Sequence, residues 1–591
     1  MTASIVSTAL AAFLLYGAVA NAAQSRTGCD VSARTRASRV CDVLARTRAG
    51  RVCGVRRCAS SSVEYASFRG VPYAKQPLGE LRFKELQPLD HWTDVLNATT
   101  EGPVCQQTDV LYKGIQTHQG GMSEACIHAN IHVPLEALPK SSDSVQTNNS
   151  TNGVPIFVFV HGGGFSFGSG DADLHGPEYL VSKGTIVITF NYRLNVFGFL
   201  SLNSDRVPGN NGLRDCVTLL RWVRDNAPAF GGNPDDVTLA GQSAGAAVAH
   251  LLTLSPATEG LFKRVVLFSG VGNSEFFSTS PVFAKIAADL FLAKVGIKPT
   301  LDPEEIHGQL VKMPIDNLMS AHSDLLNLFG FTVFSPVVES THTGVTTIID
   351  EDPDALIAKG RGRDIPHIIG FTSSECETFR PRFADMDIVE TIAATPAILV
   401  TPKLTYQTPP ATVPLLLKLI EGRYFNESRT LDDFIGYCSD AYYKYPAVKL
   451  AEKRAAIGGA PTYLFRFAYG GRRSAIKGAL HLDFKGAGHI ADITYIFRVN
   501  SVLGPLRGNT LDERNEDDEI KNLMTDYMIN FMRTSNPTPE GEARSWPTAT
   551  LPRLHTQHIV SPHEVENCAL NPELREMVAF FDGLHHASHG D

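Results

Sequence analysis

Val237-Thr238-Leu239-Ala240-Gly241-Gln242-Ser243-Ala244-Gly245-Ala246-Ala247-Val248-Ala249-His250-Leu251-Leu252 decides the fold. Its first four residues form a short apolar run of strand character, and its last residues are rich in the helix formers Ala and Leu. Between them, Gly241 to Gly245 fits G-x-S-x-G. A strand, a sharp turn and a helix in that order make a nucleophile elbow, in which the serine oxygen stands at the top of a sheet. The flanking glycines let the strained turn close without Cβ clashes. The backbone N–H of Ala244, at the helix N-terminus, is a candidate donor to a developing oxyanion.

Upstream, His161-Gly162-Gly163-Gly164-Phe165 follows the apolar run Ile156 to Val160. This is the HGGG-type loop that completes an oxyanion hole, with Gly163 and Gly164 as the expected donors. A phosphate-binding loop would need a following Lys-Ser/Thr, which is absent. Further runs apolar on both faces, Thr185 to Phe190, Val265 to Phe268 and Ile365 to Phe371, read as strands buried between helices. Helical patterns fill Asp215 to Asn226 and Ala244 to Leu254. Such alternation predicts an α/β fold with a largely parallel sheet. Residues 381–440 are apolar and Pro-interrupted, and read as a lid or helical cap.

An elbow serine needs an acid and a base that follow it in the order Asp/Glu, then His. Glu375 lies just past the apolar run Ile365 to Phe371, where strand ends face a ligand. His489 sits in the Gly-rich turn Gly486-Ala487-Gly488-His489, after the strand-like run Tyr463 to Tyr469. Pattern alone does not single these two out of 62 carboxylates and 19 His.

The 591 residues are 43% hydrophobic and 19% charged, with a net charge of −9, which excludes a disordered chain and disfavours nucleic acid as a partner. Residues 1–23 carry no charged side chain and end in small-x-small triplets, so they read as a signal peptide. No later stretch is apolar enough to span a bilayer, and no stable membrane association is expected. Cys29 to Val40 and Cys41 to Val52 match at ten of twelve positions, a tandem duplication within a basic segment, 24–57, of net charge +7. The favoured reading is one edge strand copied once, with the surplus copy loose on the surface. Residues 58–591 are expected to form a single catalytic domain. Asn97, Asn148, Asn149 and Asn426 begin N-glycosylation sequons, which fit secretion. The histidines of His585-His586-Ala587-Ser588-His589 read as a solvated tail.

From about Ser62 onward the chain resembles the type-B carboxylesterase and cholinesterase family. The matching stretches are Phe68-Arg69-Gly70-Val71-Pro72-Tyr73-Ala74, Leu81-Arg82-Phe83, Ser123-Glu124-Ala125-Cys126, HGGGF at 161–165, Asn191-Tyr192-Arg193, Gly212-Leu213-Arg214-Asp215, the Ser243 elbow, the Gly-x-x-His turn at 486–489 and Asn536-Pro537-Thr538-Pro539. The resemblance implies an α/β-hydrolase fold: a large, mostly parallel sheet flanked by helices, with a helical cap over an active-site gorge. It implies a triad of Ser243, Glu375 and His489, an oxyanion hole of Gly163, Gly164 and Ala244, a Cys105–Cys126 disulfide, and ion pairs Arg82 to Glu124 and Arg193 to Asp215. It implies no metal and no cofactor.

Within the family, Gln242 stands where most relatives carry Glu, and GQSAG looks like the juvenile hormone esterases of insects. That likeness implies hydrolysis of a terpenoid methyl ester in a deep apolar pocket, with Phe165, Phe167, Phe276 and Phe277 as wall candidates, by a monomer secreted into haemolymph. The alternative is a general or odorant- and pheromone-degrading carboxylesterase. A cholinesterase is disfavoured, because residues 106–125 contain no Trp to receive a quaternary ammonium. An intact triad argues against a catalytically dead adhesion relative. Cys216 and Ala125 depart from the family's usual Gln and Asp. Cys216, Cys376, Cys438 and Cys568 are expected to be free, and the pairing of Cys29, Cys41, Cys53 and Cys58 is left open.

Overall fold

The computed structural model describes residues 41–589, apart from 61, 113–114, 141–152, 331, 402–403, 406–407, 426–428, 472–474, 504–514 and 542–543. The signal segment 1–23, the first repeat copy and the sequons at Asn148, Asn149 and Asn426 lie outside the described residues. Asn97 is exposed.

One 13-stranded sheet organises the chain. Its strands are β1 (Val43–Arg46), β2 (Arg51–Cys58), β3 (Glu64–Pro72), β4 (Val95–Asn97), β5 (His128–Pro134), β6 (Val154–Val160), β7 (Ile186–Phe190), β8 (Gly232–Gln242), β9 (Arg264–Phe268), β10 (His367–Thr372), β11 (Thr462–Phe467), β12 (His555–Ile559) and β13 (Val565–Ala569). The order is β1-β2-β3-β5-β7-β6-β8-β9-β10-β11-β12-β13, with β4 beside β2. The run from β7 through β12 is parallel throughout, and antiparallel strands close both ends. The central strands are buried on both faces, as in β7 and β9, because helices cover each side. Each fully buried Val, Leu, Ile or Phe there contributes about 1.5–3 kcal/mol of transfer free energy.

The sheet runs through the boundary expected at 57/58. β2 pairs with β3 up to Cys58↔Glu64, so the second repeat copy is part of the sheet. β1 and β2 form a hairpin closed by Thr47, whose hydroxyl donates to the Gly50 carbonyl at 2.8 Å. A Cβ at position 50 would lie 2.3 Å from the Trp92 indole nitrogen. The first copy carries Ser38 at the equivalent place. Glycine at position 50 lets the hairpin pass under Trp92. The second copy is thus strand, as the reading of one copied edge strand expects, and it extends the sheet beyond residue 58.

Cys376 and Cys438, expected to be free, are bonded to each other across 62 residues. Their separation in sequence is why the pair escaped notice. Cys105–Cys126 and Cys41–Cys53 are also bonded, whereas Cys216 and Cys568 are free. The Cys376–Cys438 bridge ties the residue beside Glu375 to the helix Leu431–Cys438. Replacing both cysteines by Ala should cost about 2–4 kcal/mol. Urea unfolding under oxidising conditions checks this, and an unchanged midpoint would contradict it. The C-terminal histidines are not a loose tail: they end the helix Pro572–His589, and the His585 ring stacks on Tyr445 at 5.8 Å.

Both ion pairs implied by resemblance are present. Arg82 grips Glu124 with two bonds of 2.6 Å, and Arg193 bonds both oxygens of Asp215 at 2.6 and 2.8 Å. Arg214 and Glu339 form a further buried pair.

Candidate active site

β8 ends at Gln242, Ser243 turns, and the helix Ala244–Leu254 begins. Ser243 has φ 57°, a conformation that non-glycine residues adopt only where surrounding structure holds them. A bond from Ser243 N–H to the Phe268 carbonyl at 2.8 Å fixes the turn. A Cβ on Gly245 would stand 2.1 Å from the Val160 carbonyl oxygen, so the helix meets β6 only through a glycine.

The HGGGF loop extends from the end of β6. Gly163, at φ 115°, has its Cβ position 2.0 Å from the Phe167 carbonyl oxygen, so the loop is shaped for glycine. Its carbonyl is taken by the Ser166 and Phe167 N–H groups at 3.0 and 3.1 Å. The N–H groups of Gly163, Gly164 and Ala244 donate to no acceptor among the described residues. His161 is buried, its ring stacked on Tyr192 at 4.5 Å. Burial pushes its pKa down to about 4, which leaves it neutral and structural.

Glu375 follows β10 and is 0% exposed. Its Oε1 accepts from the Thr372 N–H at 2.6 Å and the Ser269 hydroxyl at 2.8 Å. Its Oε2 lies 2.7 Å from His489 Nδ1. His489, 3% exposed, also donates its backbone N–H to the Glu375 carbonyl at 3.0 Å. The next residue, Ile490, has φ 78°, a strained state for a β-branched residue. The carboxylate orients the ring so that Nδ1 carries the proton and Nε2 presents its lone pair. That Nε2 is 3.0 Å from the Gln242 amide nitrogen, which donates to it. Glu375 and His489 are therefore in contact, and Gln242, the residue before Ser243, reaches the ring. Ser243 is 5% exposed.

Several contributors escaped the sequence reading. Ser269 has no motif of its own. Gln242 stood out only as a family marker, and its contact spans 247 residues. Phe379 and Tyr443, from the helical region between β10 and β11, lie 5.1 and 4.8 Å from the His489 ring, centroid to centroid. Among the four wall candidates, Phe165 meets Phe277 at 6.4 Å, and Phe277 meets Tyr443 at 5.7 Å. Phe276 packs on Tyr442 at 5.0 Å, while Phe167 turns to Tyr112 at 6.0 Å.

Asp492 is buried three residues past His489. Burial, reinforced by Glu375, pushes its carboxyl up to about 8. The native state thus keeps a proton that the unfolded chain releases above about pH 4. From this group, stability falls as pH rises from about 4 to 8, by about 1.4 kcal/mol per unit. Asp492→Asn should flatten that slope in urea unfolding across the window. Identical slopes in both proteins would contradict the assignment.

One group of carboxylates has cation-binding spacing among the described residues. Ligand oxygens of Glu101, Asp171 and Asp173 lie within 4.8 Å of one another. Arg69 already faces Glu101 at 3.4 Å, and the Ala172 N–H donates to it at 2.8 Å. Burial, then Glu101 and Asp173, push Asp171 up to about 8, so a proton and an arginine relieve the charge there. Cys216 is buried in the helix Asn211–Asn226, its thiol donating to the Gly212 carbonyl at 3.2 Å.

The family model described as Carboxylesterase family matches residues 42–574. The chain is 53% identical to a juvenile hormone esterase of Heliothis virescens over 533 residues, 90% of this chain and 92% of that protein. It is 30% identical to a para-nitrobenzyl esterase of Bacillus subtilis over 85% of this chain and 92% of that one. A crystal structure of juvenile hormone esterase from Manduca sexta, with OTFP covalently attached, superposes with a TM-score of 0.87 at 54% identity, covering 92% of this chain and 99% of that one. The chain belongs to the carboxylesterase family and is a carboxylic ester hydrolase of the α/β-hydrolase fold.

Proposed function

We propose that the protein is a secreted serine esterase that hydrolyses the methyl ester of juvenile hormone by a Ser243-His489-Glu375 acyl-enzyme mechanism. The observation that carries the reaction is the 2.7 Å bond from His489 Nδ1 to Glu375, beside an elbow serine at φ 57°. The hormone as substrate is supported by 53% and 54% identity to two moth esterases named for it. Secretion is supported by the apolar N-terminal segment and by the disulfides Cys41–Cys53, Cys105–Cys126 and Cys376–Cys438 among the described residues. No helix among the described residues is long and apolar enough to cross a membrane.

The Ser243 hydroxyl attacks the ester carbonyl and passes its proton to His489 Nε2, displacing the Gln242 amide. Glu375 stabilises the imidazolium that forms. Gly163, Gly164 and Ala244 bind the oxyanion, each donor being worth about a hundredfold or more in turnover. His489 then protonates methanol as it leaves. Water, activated by the same imidazole, releases the hormone acid. Incubation with a juvenile hormone should yield free acid and methanol in equal amounts. Loss of hormone without methanol would contradict the reading.

A further inference from the structure

We propose that the outer face of the helical region between β10 and β11, carried by Ile398, Leu415 and Leu419, docks reversibly on a phospholipid surface. Only the purpose of docking, the supply of an apolar ester, rests on the esterase reading above.

This region contains a stretch unlike the rest of the chain. The sequence holds 62 carboxylates, yet residues 391–420 hold none, and their only charged side chains are Lys403 and Lys418. Two elements of the stretch pack on each other, the turn Pro396–Leu399 and the helix Val413–Tyr424. The helix buries Leu416 and Ile420, which hold it to the protein. One residue earlier in each turn, Leu415 and Leu419 are 51% and 41% exposed, and Ile398 on the packed turn is 40% exposed. Single exposed leucines are common. A helix apolar on its outer face as well as its inner one fits an apolar medium on both sides.

Charge decides which medium. Leu415, Leu419 and Arg423 follow one another at four-residue steps and share one stripe of the helix. Lys418 is exposed beside that stripe. A lysine or arginine stem lies along apolar surface while its charged head reaches outward. The next carboxylate along the chain, Glu421, is taken by Arg429 at 2.6 Å. A chain of net charge −9 thus presents a cationic, apolar face here, complementary to phosphate headgroups over hydrocarbon. Such a helix lies in the interface and does not span it. The face is also close to the candidate triad. The Tyr437 hydroxyl donates to the Leu399 carbonyl, and the next residue, Cys438, is bonded to Cys376 beside Glu375. An apolar ester concentrates in lipid, so docking would bring the site to its substrate.

The test uses full-length secreted protein and large unilamellar vesicles of phosphatidylcholine, with and without phosphatidylglycerol. Flotation gives the partition coefficient without any use of activity. The double variant Leu415→Gln, Leu419→Gln should lower it by about tenfold on both vesicles. Lys418→Gln should lower it by about fivefold on the anionic vesicles alone. Hydrolysis of a water-soluble short ester should be unchanged in both variants, while hydrolysis of a long-chain methyl ester carried in the vesicles should fall with the partition coefficient. Failure of the wild type to float, including the case in which it instead forms a dimer broken by the double variant, would overturn the proposal. Equal partition of the wild type and the double variant would overturn it too. A wild type that floats but hydrolyses neither ester would overturn the esterase reading instead.

Discussion

Ser243→Ala should lower kcat/KM for any ester by about 10⁴- to 10⁶-fold while leaving the melting temperature nearly unchanged. In the proposed mechanism Ser243 is the nucleophile of a concerted unit: without its oxygen, His489 has no proton to accept and Glu375 no charge to stabilise. What survives is the contribution of the oxyanion donors and of substrate binding. The neutrality toward folding follows from the geometry. The positive φ of position 243 is imposed by the bond from its N–H to the Phe268 carbonyl and by the glycines around it, and those remain. Alanine tolerates that conformation no worse than serine. Steady-state kinetics and a thermal melt on the same preparation check both halves. A residual activity above one per cent would place the nucleophile elsewhere.

Asp215→Ala should destabilise the fold by about 3–5 kcal/mol. Asp215 is fully buried, and both its oxygens bond the Arg193 guanidinium, while one also accepts the Arg193 backbone N–H at 3.0 Å. Removing the carboxylate strands a buried guanidinium that keeps its bond to the Lys84 carbonyl at 2.7 Å. The effect should reach the candidate site, because the neighbouring Tyr192 holds the His161 carbonyl at the start of the HGGGF loop. Urea unfolding measures the loss, and a change below about 1 kcal/mol would mean that the pair is dispensable.

Legibility in the sequence followed the range of the interactions. The elbow was readable because strand, glycines, serine and helix occupy one continuous stretch. Helix Ala244–Leu254 and the strands β6 to β10 were readable because their burial on both faces leaves unbroken apolar runs. Glu375 and His489 were not readable from pattern, since their contact spans 114 residues and nothing local marks either side chain. The likeness to a family supplied them. The Cys376–Cys438 bridge and the Gln242 contact with His489 were missed for the same reason. The repeat reads as a single edge strand, whereas the second copy folds as the hairpin of β1 and β2, with Arg46 and Arg51 facing outward. Tyr443 sits among Pro-interrupted helices in a π-helical turn, Ser439–Lys444, where the direction of a side chain depends on a single extra residue.

The most direct measurement is kcat/KM for a juvenile hormone against a short naphthyl ester, on secreted recombinant protein, with Ser243→Ala as control. A strong preference for the hormone, with KM at or below about 1 μM and both activities lost in the control, is the expected result. Preference for the naphthyl ester would contradict the hormone assignment and make the protein a general carboxylesterase.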